Sequence, residues 1–215
     1  MISFYIIRHG ETLLNSLNRA QCWSDSPLTG NGEKAAKELG IKLKNITFSA
    51  AYTSDMLRAE QTAKLILSTK GNDDIKIQKD MRLREWCLGS MDAEHNTTFI
   101  QVVSDWLGGV TSFAELNRRL PDVAMAIYEH DTTGMAEPFT DIANRLNSVL
   151  VDIAHNKSLK ENSSILVVTH AFAIKTFLYL FAPEKLCTMD KLKNATILKL
   201  LYDGKSFLFE ETDFE

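Results

Sequence analysis

The chain has 215 residues, 45% hydrophobic and 24% charged, the balance of an ordinary globular protein rather than a disordered, collagenous or membrane-spanning one. A chain this long buries roughly 70% of the surface its unfolded form exposes, so it needs neither disulfides nor metal for a core and fits one domain with an insert. Lys and Arg total 24 against 28 Asp and Glu, a net charge of −4; with no basic stripe, nucleic acid is a poor partner, whereas a few arginines can still make a positive pocket for a small anion.

Met1 to Ile7 is apolar but lacks a basic lead-in, and Arg8 cuts the run short. It reads as a first strand over Ser3–Ile7, not a targeting segment. A polar loop follows from Gly10 to Thr29. Thr29 or Asn31 then caps a helix to about Lys44, with Ala35, Ala36, Leu39 and Leu43 on one face. Phe48–Thr53 reads as a second strand, Ser54 as the cap of a helix carrying Leu57, Ala63, Leu65 and Ile66, and Ile75–Gln78 as a third strand. From Arg82 to Pro138 the pattern turns mostly helical, punctuated by Gly108-Gly109, Pro121 and Gly134. A helix over Phe139 to about Lys157 leads to the β-branched run Ile165–Thr169, which suits a strand buried on both faces. A helix over Ala171–Phe181 and strands at Thr196–Tyr202 and Ser206–Glu211 close the chain.

No apolar run approaches the ~20 residues of a membrane helix. The three cysteines, Cys22, Cys87 and Cys187, are odd in number and form no CxxC pair, so neither a zinc ribbon nor a dithiol redox site is expected. Reducing cytoplasm is the expected compartment. Strands alternating with helices predict a three-layer αβα sandwich around a mostly parallel sheet. The expected organisation is a single domain over residues 1–215, with residues 86–138 a helical insert covering the site.

In such sheets ligands sit beyond the carboxyl ends of the strands. Arg8, His9 and Gly10 follow the first strand, Ser54 and Arg58 the second, Glu85 the third, and His170 the buried strand ending at Thr169. Arginines and histidines converging with a helix start make a site for a dianion, and a phosphoryl group is its natural occupant. An imidazole with an unperturbed pKa of about 6.5 is a competent nucleophile near neutrality. His9 would attack phosphorus in line, with Arg8, Arg58 and His170 holding the equatorial oxygens. Glu85 would protonate the leaving alkoxide and then deprotonate the hydrolytic water; Asp80, Asp92 and Glu94 are its rivals for that role. No metal and no cofactor is required.

Arg8-His9-Gly10-Glu11-Thr12 resembles the signature of the histidine phosphatase superfamily, which contains the cofactor-dependent phosphoglycerate mutases. Asn15, Arg19, Trp23, Asp25 and Pro27-Leu28-Thr29 continue the match. Ser54 to Ala63 is similar to the family's second arginine block, Leu83-Arg84-Glu85 with Gly89 to its acid block, and Val168-Thr169-His170 to its second-histidine block. The resemblance runs from the first strand to about residue 181. It implies His9 as nucleophile, Arg8, Arg58 and His170 as phosphate clamp, Glu85 as proton donor and Asn15 as a further phosphate contact. On the residues alone, Asn15 reads equally as a loop-capping amide.

Two positions depart from the family pattern. Ala171 follows the second histidine where glycine is usual, which keeps the backbone N–H facing the phosphate. Gln21 and Cys22 stand in the substrate loop where the mutases carry a small hydroxyl residue and a glycine. That departure favours a phosphatase acting on a small phosphorylated metabolite over a phosphoglycerate mutase. A non-catalytic phosphate-ligand binding protein on the same fold is the alternative of another class. Trp23 and Trp86 are candidate substrate contacts. His95, His130 and His155 show no ligand spacing, and Arg118-Arg119 reads as a solvated face. The sequence leaves oligomeric state and natural substrate open.

Overall fold

Strand β1 (Ile2–Arg8) carries a run of buried residues from Phe4 to Ile7 and takes a central place in the sheet. In the computed structural model, which describes all residues except 70, 73, 110–112, 189–191 and 212–215, the chain continues through α1 (Leu13–Ser16), α2 (Gly30–Lys42), β2 (Phe48–Thr53), α3 (Leu57–Thr69) and β3 (Ile77–Lys79). Two 3₁₀ turns lead into α4 (Asn96–Trp106), α5 (Phe113–Arg118), α6 (Leu120–His130) and α7 (Phe139–Ala154). Then come β4 (Ser164–Thr169), α8 (Ala171–Phe181), α9 (Pro183–Thr188), β5 (Ile197–Tyr202) and β6 (Phe207–Glu210).

Among the described residues the strands order as β3-β2-β4-β1-β5-β6. The first four pair in parallel; β5 and β6 add an antiparallel edge. Alternation along the strands sends Tyr5, Ile7, Ala51, Leu166 and Val168 to one face, under Leu39 and Leu43 and the α3 residues Ala63 and Ile66. Phe4, Ile6, Tyr52, Ile165 and Val167 face the other way, under Leu146, Leu150, Ile174 and Phe177 of α7 and α8. Phe99, Val103, Leu120, Val123 and Ile127, from α4 and α6, join that second cluster. The molecule is thus an αβα sandwich with a mixed, mostly parallel sheet. No helix among the described residues is long and apolar enough to cross a membrane.

Register sets the site. Arg8 pairs with Thr169 and Thr53 with Val168, so β1, β4 and β2 end at one level. His9, His170 and Ser54 therefore leave the sheet side by side. The loop after β1 packs hard on the start of α2: a Cβ at Gly10 would come within 2.7 Å of the Gly32 carbonyl oxygen, and one at Gly32 within 2.1 Å of the Glu11 oxygen.

Several element ends differ from the sequence expectation. Inside the polar loop, Thr12 and Asn15 form a reciprocal capping box that closes the short α1. Thr29, not Asn31, caps α2 through its hydroxyl and the Gly32 N–H (3.1 Å). Ser54 Oγ meets His170 Nε2 (2.8 Å) and also accepts from the Met56 N–H (3.4 Å) just ahead of α3, while Asp25 reaches the Leu57 N–H (2.5 Å). Helix α7 stops at Ala154 ahead of a turn in which Asn156 Oδ1 accepts from Ser158 N (3.0 Å). Helix α9, with proline at its first position, was not expected.

Candidate active site

His9 is 2% exposed, and its Nδ1 lies 2.8 Å from the Gly10 carbonyl oxygen. A carbonyl only accepts, so Nδ1 carries the proton and Nε2 keeps its lone pair. The His9 carbonyl accepts from Asn194 Nδ2 (3.0 Å) and its N–H donates to Thr169 (3.0 Å), which fixes the backbone beneath the ring. Burial, then the Arg58 and Arg8 guanidinium groups, hold its imidazole well below the ordinary value. His9 is therefore neutral in the folded protein at neutral pH.

His170 precedes α8 as its N-terminal cap residue. Its Nε2 is 2.8 Å from Ser54 Oγ and its Nδ1 3.1 Å from Arg58 Nη2. A guanidinium only donates, so here Nδ1 is the acceptor and Nε2–H donates to Ser54. The two histidines, with ring centroids 5.1 Å apart, thus hold opposite tautomers. Burial, and then Arg58, also keep His170 neutral.

Arg58, on the first turn of α3, is fully buried. Its Nη1 donates to the Ser24 carbonyl and to Asp25 Oδ1 (both 3.0 Å), and its Nη2 to the Cys22 carbonyl (2.6 Å). Arg8 reaches the Leu192 carbonyl through Nη1, and burial pushes its guanidinium down to about 10. The Nε of Arg8 and the Nε of Arg58 are buried with no hydrogen-bond partner among the described residues. Buried donors are almost always satisfied. Two that are not, on cations beside two neutral imidazoles, describe a place prepared for an anion.

Glu85 lies 3% exposed beneath this group. Its Oε1 accepts from the N–H of Trp86 (3.1 Å) and Ala173 (2.9 Å), and its Oε2 from the N–H of Phe172 (2.9 Å). The first turn of α8 thus grips the carboxyl group next to His170, the cap residue of that helix. Burial raises its pKa above the ordinary carboxylate value, and the amides and Arg58 offset only part of that. Its own carbonyl is held by Trp23 Nε1 (3.0 Å) and Arg145 Nη2 (2.9 Å). The rivals are engaged elsewhere. Asp80 pairs with Arg82, Asp92 receives the N–H groups of Cys22, Trp23 and Ser24, and Glu94 that of His95.

The other expected residues divide. Asn15 lies beside the site, its Oδ1 accepting from Thr12 N and from Asn194 Nδ2 (both 3.4 Å) in the capping role. Gln21 spends its amide on the hydroxyls of Thr12 (2.5 Å) and Ser26 (3.0 Å). Cys22 puts its thiol in the core and contributes its carbonyl to Arg58; burial raises that thiol well above its ordinary pKa. Ala171 opens α8 next to His170. Trp86 is a core residue, stacked on Phe172 (4.8 Å, 21°) and bonded to Thr176. Trp23 lies under the Arg84 guanidinium (4.7 Å). His95 bonds Thr97, His130 stacks on Trp106, and His155 meets the Tyr202 hydroxyl. Arg118 is exposed and Arg119 pairs with Asp122.

Sequence reasoning missed Thr62, which accepts from Gly10 N (3.0 Å) and donates to the Arg58 carbonyl (2.7 Å), and it missed Asn194 and Arg145 altogether. Only Thr62 carried a signal: it is one helical turn past Arg58, on the same face of α3.

A family model described as the histidine phosphatase superfamily (branch 1) matches residues 4–213. Among curated proteins, a probable phosphoglycerate mutase of Enterobacter sp. (strain 638) is 29% identical over 214 residues, 97% of this chain and 88% of that protein. Among solved structures, phosphoglycerate mutase from Bacillus anthracis strain Sterne is similar at TM-score 0.90 and 32% identity, over 98% of this chain and 92% of its own. A phosphoserine phosphatase from Entamoeba histolytica shares the fold at TM-score 0.72 and 22% identity, over 98% and 96% of the two chains.

Proposed function

The chain belongs to the histidine phosphatase superfamily, and from that premise we propose that it is a metal-independent phosphomonoesterase working through a phosphohistidine on His9. The observation that carries this reading is the His9 tautomer: its Nδ1–H is bound to Gly10, which leaves the Nε2 lone pair free on a ring within electrostatic reach of the Arg58 and Arg8 guanidinium groups.

The Nε2 lone pair of His9 attacks phosphorus and the ester P–O bond breaks. The Glu85 carboxyl proton passes to the leaving alkoxide, which departs as an alcohol. Arg8 and Arg58 take up the charge on the equatorial oxygens. An arriving dianion raises the pKa of a neighbouring imidazole, so His170 takes a proton from solvent at Nδ1, gives up its contact with Arg58 Nη2 and donates to a phosphoryl oxygen instead. Water then attacks the phosphohistidine, Glu85 accepts its proton, and the P–N bond breaks to release phosphate. Asn15 and the Ala171 N–H are the remaining phosphate contacts in this scheme. Gln21 and Cys22, assigned to substrate by sequence, act on it through the loop and through Arg58. Residues 86–138 form the cap that reads the rest of a small phosphorylated substrate.

Hydrolysis of p-nitrophenyl phosphate in EDTA, for wild type against His9→Ala, tests this. A loss of at least ~10³-fold, about 4 kcal/mol of barrier, is expected. Equal activity in the two proteins would remove His9 from the chemistry. A mutase is the second reading, favoured by the names of similar proteins. It requires the phosphoenzyme to outlast water, so phosphoglycerate isomerisation faster than hydrolysis under bisphosphoglycerate priming would establish it instead.

A further inference from the structure

Ala20-Gln21-Cys22-Trp23-Ser24 contains no glycine, proline or asparagine to dictate a turn, yet this segment forms the strap that holds Arg58. Its shape is imposed from the base of the insert. Asp92 follows the second 3₁₀ turn (Gly89–Met91). Its Oδ1 accepts from the Cys22 N–H (3.0 Å) and the Ser24 hydroxyl (2.9 Å), and its Oδ2 from the N–H groups of Trp23 (3.0 Å) and Ser24 (2.7 Å). Just before these contacts, Ala93 N donates to the Ala20 carbonyl (2.9 Å) and Ala20 N to that of Glu94 (2.8 Å), lacing the two segments together. Three consecutive amides on one carboxylate make a charge-assisted set. Apart from the Ala93 N–H, every donor shown on Asp92 among the described residues lies in the strap.

The same strap spends its carbonyls on Arg58: that of Cys22 accepts from Nη2 (2.6 Å) and that of Ser24 from Nη1 (3.0 Å). The peptide between Cys22 and Trp23 is a rigid plane, with its N–H on Asp92 and its carbonyl on Arg58. A carboxylate at one end and a guanidinium at the other polarise that peptide in the same sense. Arg58 is fully buried, and its remaining protein partners are Asp25, through Nη1, and His170, through Nη2. The pose of the guanidinium is thus set by the strap together with Asp25, and the strap is set by Asp92.

We infer that Asp92 is a positioning residue for the phosphoryl clamp: from the base of the insert it holds the Cys22–Trp23 peptide, and through it Arg58, in the pose that receives the anion. This rests on the phosphatase reading above in taking that anion to be a phosphoryl group. Residues 86–138 then do more than cover the site, since their first turns set its clamp. In Asp92→Asn, Oδ1 still serves the Cys22 N–H and the Ser24 hydroxyl, but an NH₂ group faces the Trp23 and Ser24 N–H groups, donor against donor.

The test measures the affinity of inorganic phosphate by calorimetry, so it needs no turnover. Asp92→Asn is expected to weaken phosphate at least tenfold, the scale of losing a partner that supports a ligand-holding group. Asp92→Glu, which keeps the carboxylate, should recover part of that. In Arg58→Met, where Arg8 and the histidines still hold the anion, adding Asp92→Asn should change affinity less than twofold, because the two residues act as one unit. The inference is overturned if Asp92→Asn binds phosphate as wild type does, or if it costs the same factor with and without Arg58. Unchanged affinity with a shifted basic limb in the pH profile also overturns it, and would assign Asp92 to Glu85 through the Trp23 indole. If Asp92→Asn fails to fold, Asp92→Glu takes its place in the same comparison with Arg58→Met. Phosphate binding with the expected coupling but no hydrolysis of p-nitrophenyl phosphate would refute the phosphatase reading and leave this inference standing. A wild type that binds no phosphate overturns both.

Discussion

Ser54 Oγ and His170 Nε2 stand 2.8 Å apart, joined by residues 116 positions apart in sequence, while Arg58 Nη2 meets the other nitrogen of the same ring at 3.1 Å. Two side chains thereby fix one tautomer and one orientation of the ring. Ser54 touches no reacting atom in the proposed scheme; it positions His170. Ser54→Ala is expected to lower kcat about 10- to 100-fold, as losses of supporting hydrogen bonds do, and to cost about 1 kcal/mol of stability. Ser54→Thr, which keeps the hydroxyl, should recover part of kcat. A wild-type kcat in the alanine variant would refute the positioning role.

The pH profile follows from two opposed shifts. His9 must be neutral to attack, and burial with Arg58 and Arg8 lowers its pKa well below the ordinary value. Glu85 must be protonated to assist the leaving group, and burial raises its pKa. Since kcat/KM reports the free enzyme, it should form a bell on the acid side of neutral. The acidic limb belongs to His9 and the basic limb to Glu85. Glu85→Gln, assayed with p-nitrophenyl phosphate across pH 4 to 9, is expected to lose the basic limb along with most activity. A basic limb unchanged in that variant would place the proton donor elsewhere.

The unpartnered Nε atoms of Arg8 and Arg58 make a prediction that needs no turnover. Inorganic phosphate or vanadate should bind the folded protein and stabilise it. At 100 times the dissociation constant the gain is about 2.7 kcal/mol, or roughly 5–10 °C in Tm for a chain of this size. Arg8→Met should shrink that ligand-induced shift whatever its own melting temperature. A full shift in Arg8→Met would mean the anion sits away from β1.

Much of this architecture was legible in the sequence, and the limits have physical causes. Strand β2 and helix α8 appear at their expected bounds because Thr47 and Ser54 bound the first apolar run, and His170 and Pro183 flank the second. Arg8, His9 and His170 come out at one edge because they end or directly follow strands that finish in register, and Arg58 joins them from the first turn of the helix after β2. What escaped is what long-range contacts decide. The Ser54 hydroxyl has a local partner in the Met56 N–H (3.4 Å) and a distant one at His170 (2.8 Å), and only the local one is readable from the sequence. Asn194 reaches the His9 carbonyl across 185 positions, and no local pattern announces that. Helix α1 has four residues and no buried face, so periodicity had nothing to detect.

Arg145 is the strongest case of such a distant support, and it carries the last prediction. From α7 its Nη1 donates to the carbonyls of Arg82 (2.9 Å) and Arg84 (2.8 Å), and its Nη2 to that of Glu85 (2.9 Å). Its Nε and Nη2 also fork onto Glu137 (2.7 and 2.8 Å), which in turn accepts the Cys87 N–H (2.9 Å). One planar guanidinium therefore holds the segment before and at the acid, while its partner holds the segment after. An ammonium keeps the charge but loses the fork. Arg145→Lys is expected to fold, to retain the pairing with Glu137, and to lose about tenfold in kcat. Its basic limb should move as well, because Glu85 no longer seats on the Phe172 and Ala173 amides. Arg145→Met removes one partner of a mostly buried pair and should cost about 3–5 kcal/mol, read from chemical denaturation. A lysine variant with wild-type kcat and an unmoved pH profile would show that Arg145 supports the fold alone. A lysine variant that loses kcat while the limb moves would show that the position of Glu85 is set from α7.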